Sequence, residues 1–109
     1  MRVSVILFCL MFIGVNNLVE AKGNVKAGEE KSQVCQSCHG ADGNGILPSY
    51  PRLAGQYADY MVRALKDYKS GKRKNAVMPA FASQLSEQDM EDISAFYASK
   101  EGLIDLKIK

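Results

Sequence analysis

Apolar positions along this chain recur at helical spacing, and no stretch before Gly102 carries a strand pattern. Tyr57, Tyr60, Met61, Ala64, Leu65 and Tyr68 form one stripe at three- and four-residue intervals, which predicts an amphipathic helix from Gln56 to Ser70. Gly71 is placed to end it, with Lys69 in the last turn where the helix dipole favours a cation. A second pattern, Met90, Ile93, Phe96 and Tyr97, predicts a buried helix from Ser86 to about Ser99, opened by a capping box between Ser86 and Asp89. A weaker pattern of Val25, Ala27, Gly28 and Val34 marks a helix from Val25 to Cys38, capped by Asn24. Gly28 costs about 1 kcal/mol against alanine inside a helix, and a close helix crossing would account for it.

Between these helices the chain changes character. Gly40, Asp42, Gly43, Asn44, Gly45, Pro48, Ser49, Pro51 and Gly55 break up residues 40–55, which therefore read as loop. So long a loop in so small a domain is unusual unless it wraps something. Residues 71–79 form a basic loop ending Val77-Met78-Pro79, followed by a short helical turn over Ala80 to Gln84. The alternation from Leu103 to Lys109 is short and terminal, and reads as a frayed or surface-packed tail. The fold class is all-α, with three main helices.

The start of the chain has the build of an export signal. Met1 and Arg2 precede an uncharged run from Val3 to Val15, and Val19-Glu20-Ala21 offers a cleavage site after Ala21. The apolar run is too short to span a bilayer comfortably, although an uncleaved anchor is the alternative. Cys9 then belongs to the signal, and residues 22–109 form one domain with two cysteines, Cys35 and Cys38. The formal charge is +2, which gives no case for nucleic-acid binding. So small an exported domain has a thin core and no disulfide framework, and a large buried cofactor would serve as its staple.

Cys35-Gln36-Ser37-Cys38-His39 is the C-x-x-C-H pattern of covalent haem attachment. On a helix, residues three and four apart share a face. Two thiols can thus each add across a haem vinyl group while His39 points a ring nitrogen at the iron. The tethers hold the imidazole at high effective concentration. A zinc site would need about four protein ligands, and this chain has one histidine in total. A thioredoxin-like pair would need a strand before it and a helix after it, whereas here a helix comes first and a loop follows.

The second axial ligand is reached by elimination. With a single histidine, bis-histidine ligation is excluded within one chain. Met61 and Met90 lie on apolar helix stripes, where methionine fills core. Met78 lies in a loop directly before Pro79, which biases it away from helical angles. Met78 is the candidate ligand, and an open or water-filled position is the alternative. The metal ligands read from the sequence are therefore His39 and Met78, and the haem-binding residues are Cys35, Cys38, His39 and Met78.

Three segments together, Cys35 to Gly40, Pro51 to Tyr57, and Met78-Pro79-Ala80-Phe81 with Leu85-Ser86, resemble class I c-type cytochromes. The likeness covers about residues 24 to 99 and is closest to single domains of the bacterial cytochrome c-four group and related small periplasmic cytochromes. It implies an all-helical fold around one haem. It implies that the Pro51 carbonyl accepts a hydrogen bond from His39, that Leu53 packs on the haem, and that Arg52 pairs with a propionate. It also implies that the first and last helices cross at Gly28 against Phe96 or Tyr97. The chain departs from relatives that carry a large apolar residue near Lys31 or Ser32, which predicts a weaker helix contact there. It also has one haem domain where the c-four group has two.

A thioether ligand favours Fe(II), and a six-coordinate iron has no position for substrate. That combination suits a periplasmic carrier of single electrons, monomeric and not inserted in a membrane, rather than an enzyme. An open-iron enzyme or gas sensor and a fixed haem subunit of a larger complex are the alternatives. Lys66, Lys69, Lys72, Arg73 and Lys74 form a basic cluster that either steers docking to an acidic oxidase or reductase or simply complements a helix C-terminus.

Overall fold

The computed structural model describes residues 22–102, so the signal and tail read above lie outside the described residues. The described residues contain helices and no strand: α1 (Val25–Lys31), α2 (Gln33–His39), α3 (Ala58–Ser70), α4 (Met78–Ala82) and α5 (Glu87–Ala98). The all-α expectation holds, with two of the three main helices close to their predicted bounds.

The first predicted helix is divided. Asn24 caps α1 by accepting from the Ala27 amide at 2.9 Å, but the helix breaks at Ser32. The Ser32 hydroxyl, fully buried, donates to the Glu29 carbonyl at 3.0 Å. The side-chain amides of Gln33 and Gln36 converge on the same carbonyl at 3.2 and 3.3 Å. Three side-chain donors draw that carbonyl away from the regular helix ladder. The chain still turns helically through the joint, since Ser32 N–H donates to Gly28 O and Gln36 N–H to Ser32 O, both at 2.9 Å.

Helix α1 packs on α5 at van der Waals limits. A Cβ on Gly28 would lie 1.9 Å from the Asp92 carbonyl oxygen and 2.8 Å from Phe96 Cβ. Glycine is what lets the two helices meet this closely, as the resemblance implied. The contact is not weakened by polar residues at positions 31 and 32. Lys31 Nζ lies 2.7 Å from Asp92 and 2.9 Å from Asp89. The Asp92 carboxylate also accepts from the Asn24 amide at 2.8 Å and from Gln88 Nε2 at 2.9 Å. An ionic and hydrogen-bonded lock thus joins α1 to α5 at this point.

Helix α5 supplies the floor of the core. Its capping box is formed in both directions, Ser86 Oγ accepting from Asp89 N–H and Asp89 accepting from Ser86 N–H. Met90, Ile93, Phe96 and Tyr97 are all buried, as the pattern predicts. Met61 of α3 joins Ile93, Phe96 and Tyr97 in the central cluster, with Cys35, Leu53 and Leu85 packed against it.

Helix α3 starts at Ala58, not Gln56, because Tyr57 is extended (φ −62°, ψ 128°). It ends at Gly71, whose φ of 81° places it in the left-handed region. Its buried residues are Met61 and Val62, whereas Tyr57 and Tyr60 of the predicted stripe are exposed. Tyr60 instead receives a hydrogen bond from Arg73 at 3.3 Å. Helix α4 also differs from its predicted position. It begins at Met78, so this residue is helical and not in a loop. Asn75 Oδ1 accepts from the Val77 and Met78 amides, at 2.8 and 3.0 Å, and proline is tolerated in a first helical turn. These two features start the helix earlier than the pre-proline bias suggests.

Candidate haem site

His39 is the last residue of α2 and is buried. Gly40 follows with a φ of 82° and turns the chain out of the helix. The loop then folds back on the helix end: Gly45 N–H donates to His39 O at 2.7 Å, and Ile46 N–H to Cys38 O at 3.0 Å. Its far side is tied to its near side, since Leu53 and Ala54 amides both donate to Gly43 O at 2.7 and 3.0 Å. Gly55 N–H reaches Tyr97 O at 3.0 Å, and Tyr97 Oη donates to Gly40 O at 3.4 Å. Residues 40–55 are thus a closed ring braced on α5. A Cβ on Gly43 would meet the Tyr97 ring at 2.8 Å and the Ala54 amide at 2.9 Å.

This ring carries Pro51 to the imidazole. His39 Nδ1 lies 2.8 Å from the Pro51 carbonyl oxygen. A carbonyl can only accept, so Nδ1 carries the proton and Nε2 keeps its lone pair for a metal. The arrangement fixes both tautomer and ring orientation, as the resemblance implied.

Cys35 and Cys38 are free, partly buried thiols on the same helix. Burial pushes the Cys35 thiol up, aided by the nearby Cys38, against the pull of its own backbone hydrogen bond. Leu53 packs against the core beside Cys35. Arg52 is exposed on the loop, near Asp42. The Asp42 carboxyl is held below the usual range by hydrogen bonds from Asn44, with a small contribution from Arg52.

The His39 tautomer and the exposed apolar side chains near the motif are compatible with a haem. Among the described residues no group of three or more His, Cys, Asp and Glu side chains is placed to hold a metal ion. Of the eight large hydrophobic side chains at least 40% exposed among the described residues, Val34, Ile46, Leu47, Tyr57, Val77 and Phe81 lie near the motif, its loop or Met78 in sequence, and Val25 and Tyr60 lie elsewhere on α1 and α3. Exposed apolar surface of this kind is what a bound group or a protein partner would cover.

Met78 is half-buried at the head of α4, which packs on α3. Met61 and Met90 are 5% and 1% exposed, inside the helical core. Sequence reasoning missed Asn75. Its only signal was an amide side chain two and three residues before the amides it binds.

A family model described as Cytochrome c matches residues 25–100. The chain is 42% identical over 92 residues to a cytochrome c4 of Pseudomonas aeruginosa, covering 84% of this chain and 46% of that protein. It is 45% identical over 82 residues to cytochrome c-554(548) of Halomonas halodenitrificans, covering 72% of this chain and 99% of that protein. The crystal structure of reduced recombinant cytochrome c4 from Pseudomonas stutzeri superposes with a TM-score of 0.70 at 40% identity, over 75% of this chain and 48% of that one. The chain thus spans about half the length of the cytochrome c4 relatives it matches. A family match across most of the described residues, and a short relative matched over nearly its whole length, place this chain in the cytochrome c family of electron-transfer proteins with covalently bound haem c.

Proposed function

We propose that this protein is an exported, monomeric carrier of single electrons whose haem iron is held between His39 and Met78. The observation that carries the reading is the His39–Pro51 hydrogen bond, which prepares Nε2 as a permanent ligand. Cys35 and Cys38 would hold the group, each through a thioether made by adding its S–H across a vinyl group. Haem supplies a one-electron Fe(III)/Fe(II) couple when bound. Met78 is favoured over Met61 and Met90 because both of those are committed to the core. A Met78 thioether on the iron would leave no position for substrate, which favours a carrier over a catalyst.

Its partners are a redox donor and a redox acceptor. Much of the basic cluster is engaged within the fold: Lys66 pairs with Glu87 at 3.0 Å, Lys69 donates to the Leu85 carbonyl, and Arg73 stacks on Tyr68 at 5.0 Å. Lys72 and Lys74 remain exposed and are the charges we assign to steering an acidic partner. Export rests on residues 1–21. Among the described residues no helix is long and apolar enough to cross a membrane.

The test is carbon monoxide binding to the reduced protein, with Met78→Ala beside it. The wild type should bind slowly. Met78→Ala should keep its haem, bind rapidly and have a lower reduction potential. Rapid binding by the untreated wild type would support an open-iron enzyme or sensor instead, and an unchanged Met78→Ala spectrum would move the ligand to Met61 or Met90.

A further inference from the structure

We infer that Asn75 is a positioning residue for the Met78 ligand, and sets how often the thioether leaves the iron. The inference deepens the proposed His39/Met78 ligation and rests on it. The connection between α3 and α4 is exposed from Gly71 to Val77. Its near end is fastened: Arg73 N–H donates to Asp67 O at 3.0 Å, and the Arg73 side chain reaches Tyr60 and the face of Tyr68. Its far end has a different fastening. A single oxygen, Asn75 Oδ1, accepts from Val77 N–H at 2.8 Å and from Met78 N–H at 3.0 Å.

Those two amides sit at the start of a five-residue helix, which is too short to be stable on local hydrogen bonds alone. Val77 has helical backbone angles (φ −115°, ψ −51°) and caps α4 with no side chain of its own. The Asn75 carboxamide supplies the missing acceptor and fixes the direction in which the Met78 Cα–Cβ bond leaves the helix. Without it, the segment between Arg73 and Pro79 gains freedom and Met78 samples positions away from the iron. Asn75 touches the ligand's backbone and not its sulfur, so it acts through Met78.

Carbon monoxide binds reduced iron only while the thioether is off, so its association rate reports the detached population. Asn75→Ala should raise that rate roughly tenfold, the scale of losing one or two modest hydrogen bonds. It should also weaken the red charge-transfer band of the oxidised protein, which arises from iron–thioether bonding. Asn75→Asp keeps the acceptor oxygen and should stay near the wild-type rate. Met78→Ala on the same holoprotein sets the upper limit. If Met78→Ala is fast and Asn75→Ala matches the wild type, the positioning role is overturned while the ligand assignment stands. If Asn75→Asp and Asn75→Ala are equally fast, the acceptor oxygen is not what matters and the inference also falls. If Met78→Ala itself binds no faster than wild type, the ligation reading fails and takes this inference with it.

Discussion

His39 donates its Nδ1 proton to the carbonyl oxygen of Pro51, across 2.8 Å and twelve residues of loop. The acceptor is backbone, held by a loop that closes on itself through Gly43 and on α5 through Tyr97. Imidazole orientation is therefore a property of the whole loop. His39→Ala removes the lone imidazole and the loop's tie to α2 together. Ligation and folding are coupled in such a site. The expected result is loss of nearly all visible haem absorbance per polypeptide, with reduced helical signal in circular dichroism. A normally coloured, normally helical His39→Ala protein would contradict the site.

Gly28→Ala sets two effects against each other. Alanine gains about 1 kcal/mol of helix propensity. The new Cβ, however, falls 1.9 Å from a backbone oxygen of α5, which cannot move without the helix. Overpacking of this kind costs more than propensity returns, so the expected net loss is about 2–4 kcal/mol. Urea denaturation of the oxidised holoprotein measures it. An increase in stability would show that α1 and α5 do not meet at this distance.

Acid should loosen the same crossing. Burial alone pushes the Asp92 carboxyl up, but Lys31, the Asn24 amide and Gln88 more than offset this and leave it below the ordinary carboxylate range. Asp89 is lowered too, first by the Ser86 amide and then by Lys31. A carboxyl with a depressed folded value stabilises fully above its unfolded value of about 3.9 and loses that contribution as pH falls through the folded one. Thermal midpoints measured between about pH 6 and pH 2 should drop on the acid side. In Asp92→Asn this part of the drop should shrink, from a starting stability lower by about 2–3 kcal/mol. An identical acid profile in Asp92→Asn would remove this carboxylate from the account.

Features written in adjacent residues were legible without coordinates. The Asn24 cap, the Gly71 stop, the Ser86–Asp89 capping box and the buried face of α5 each depend on a few neighbours, and each appears where the pattern put it. The C-x-x-C-H motif was legible for the same reason. What was missed depends on distant partners or on competition for one group. The break at Ser32 arises because three side chains compete for the Glu29 carbonyl. Polar Lys31 pointed to a weak helix contact because its partner, Asp92, lies on α5, at the other end of the domain in sequence. The pre-proline bias predicts a loop at Met78, and the Asn75 oxygen, which starts the helix there, overrides it.

The most direct test is the intact mass and colour of purified protein before and after extraction with acidic acetone. The account predicts that colour stays with the polypeptide, and that its mass exceeds that of the bare chain by one haem, localised to the segment holding Cys35 and Cys38. Pigment passing into the acetone, with the polypeptide left at its bare mass, would contradict it.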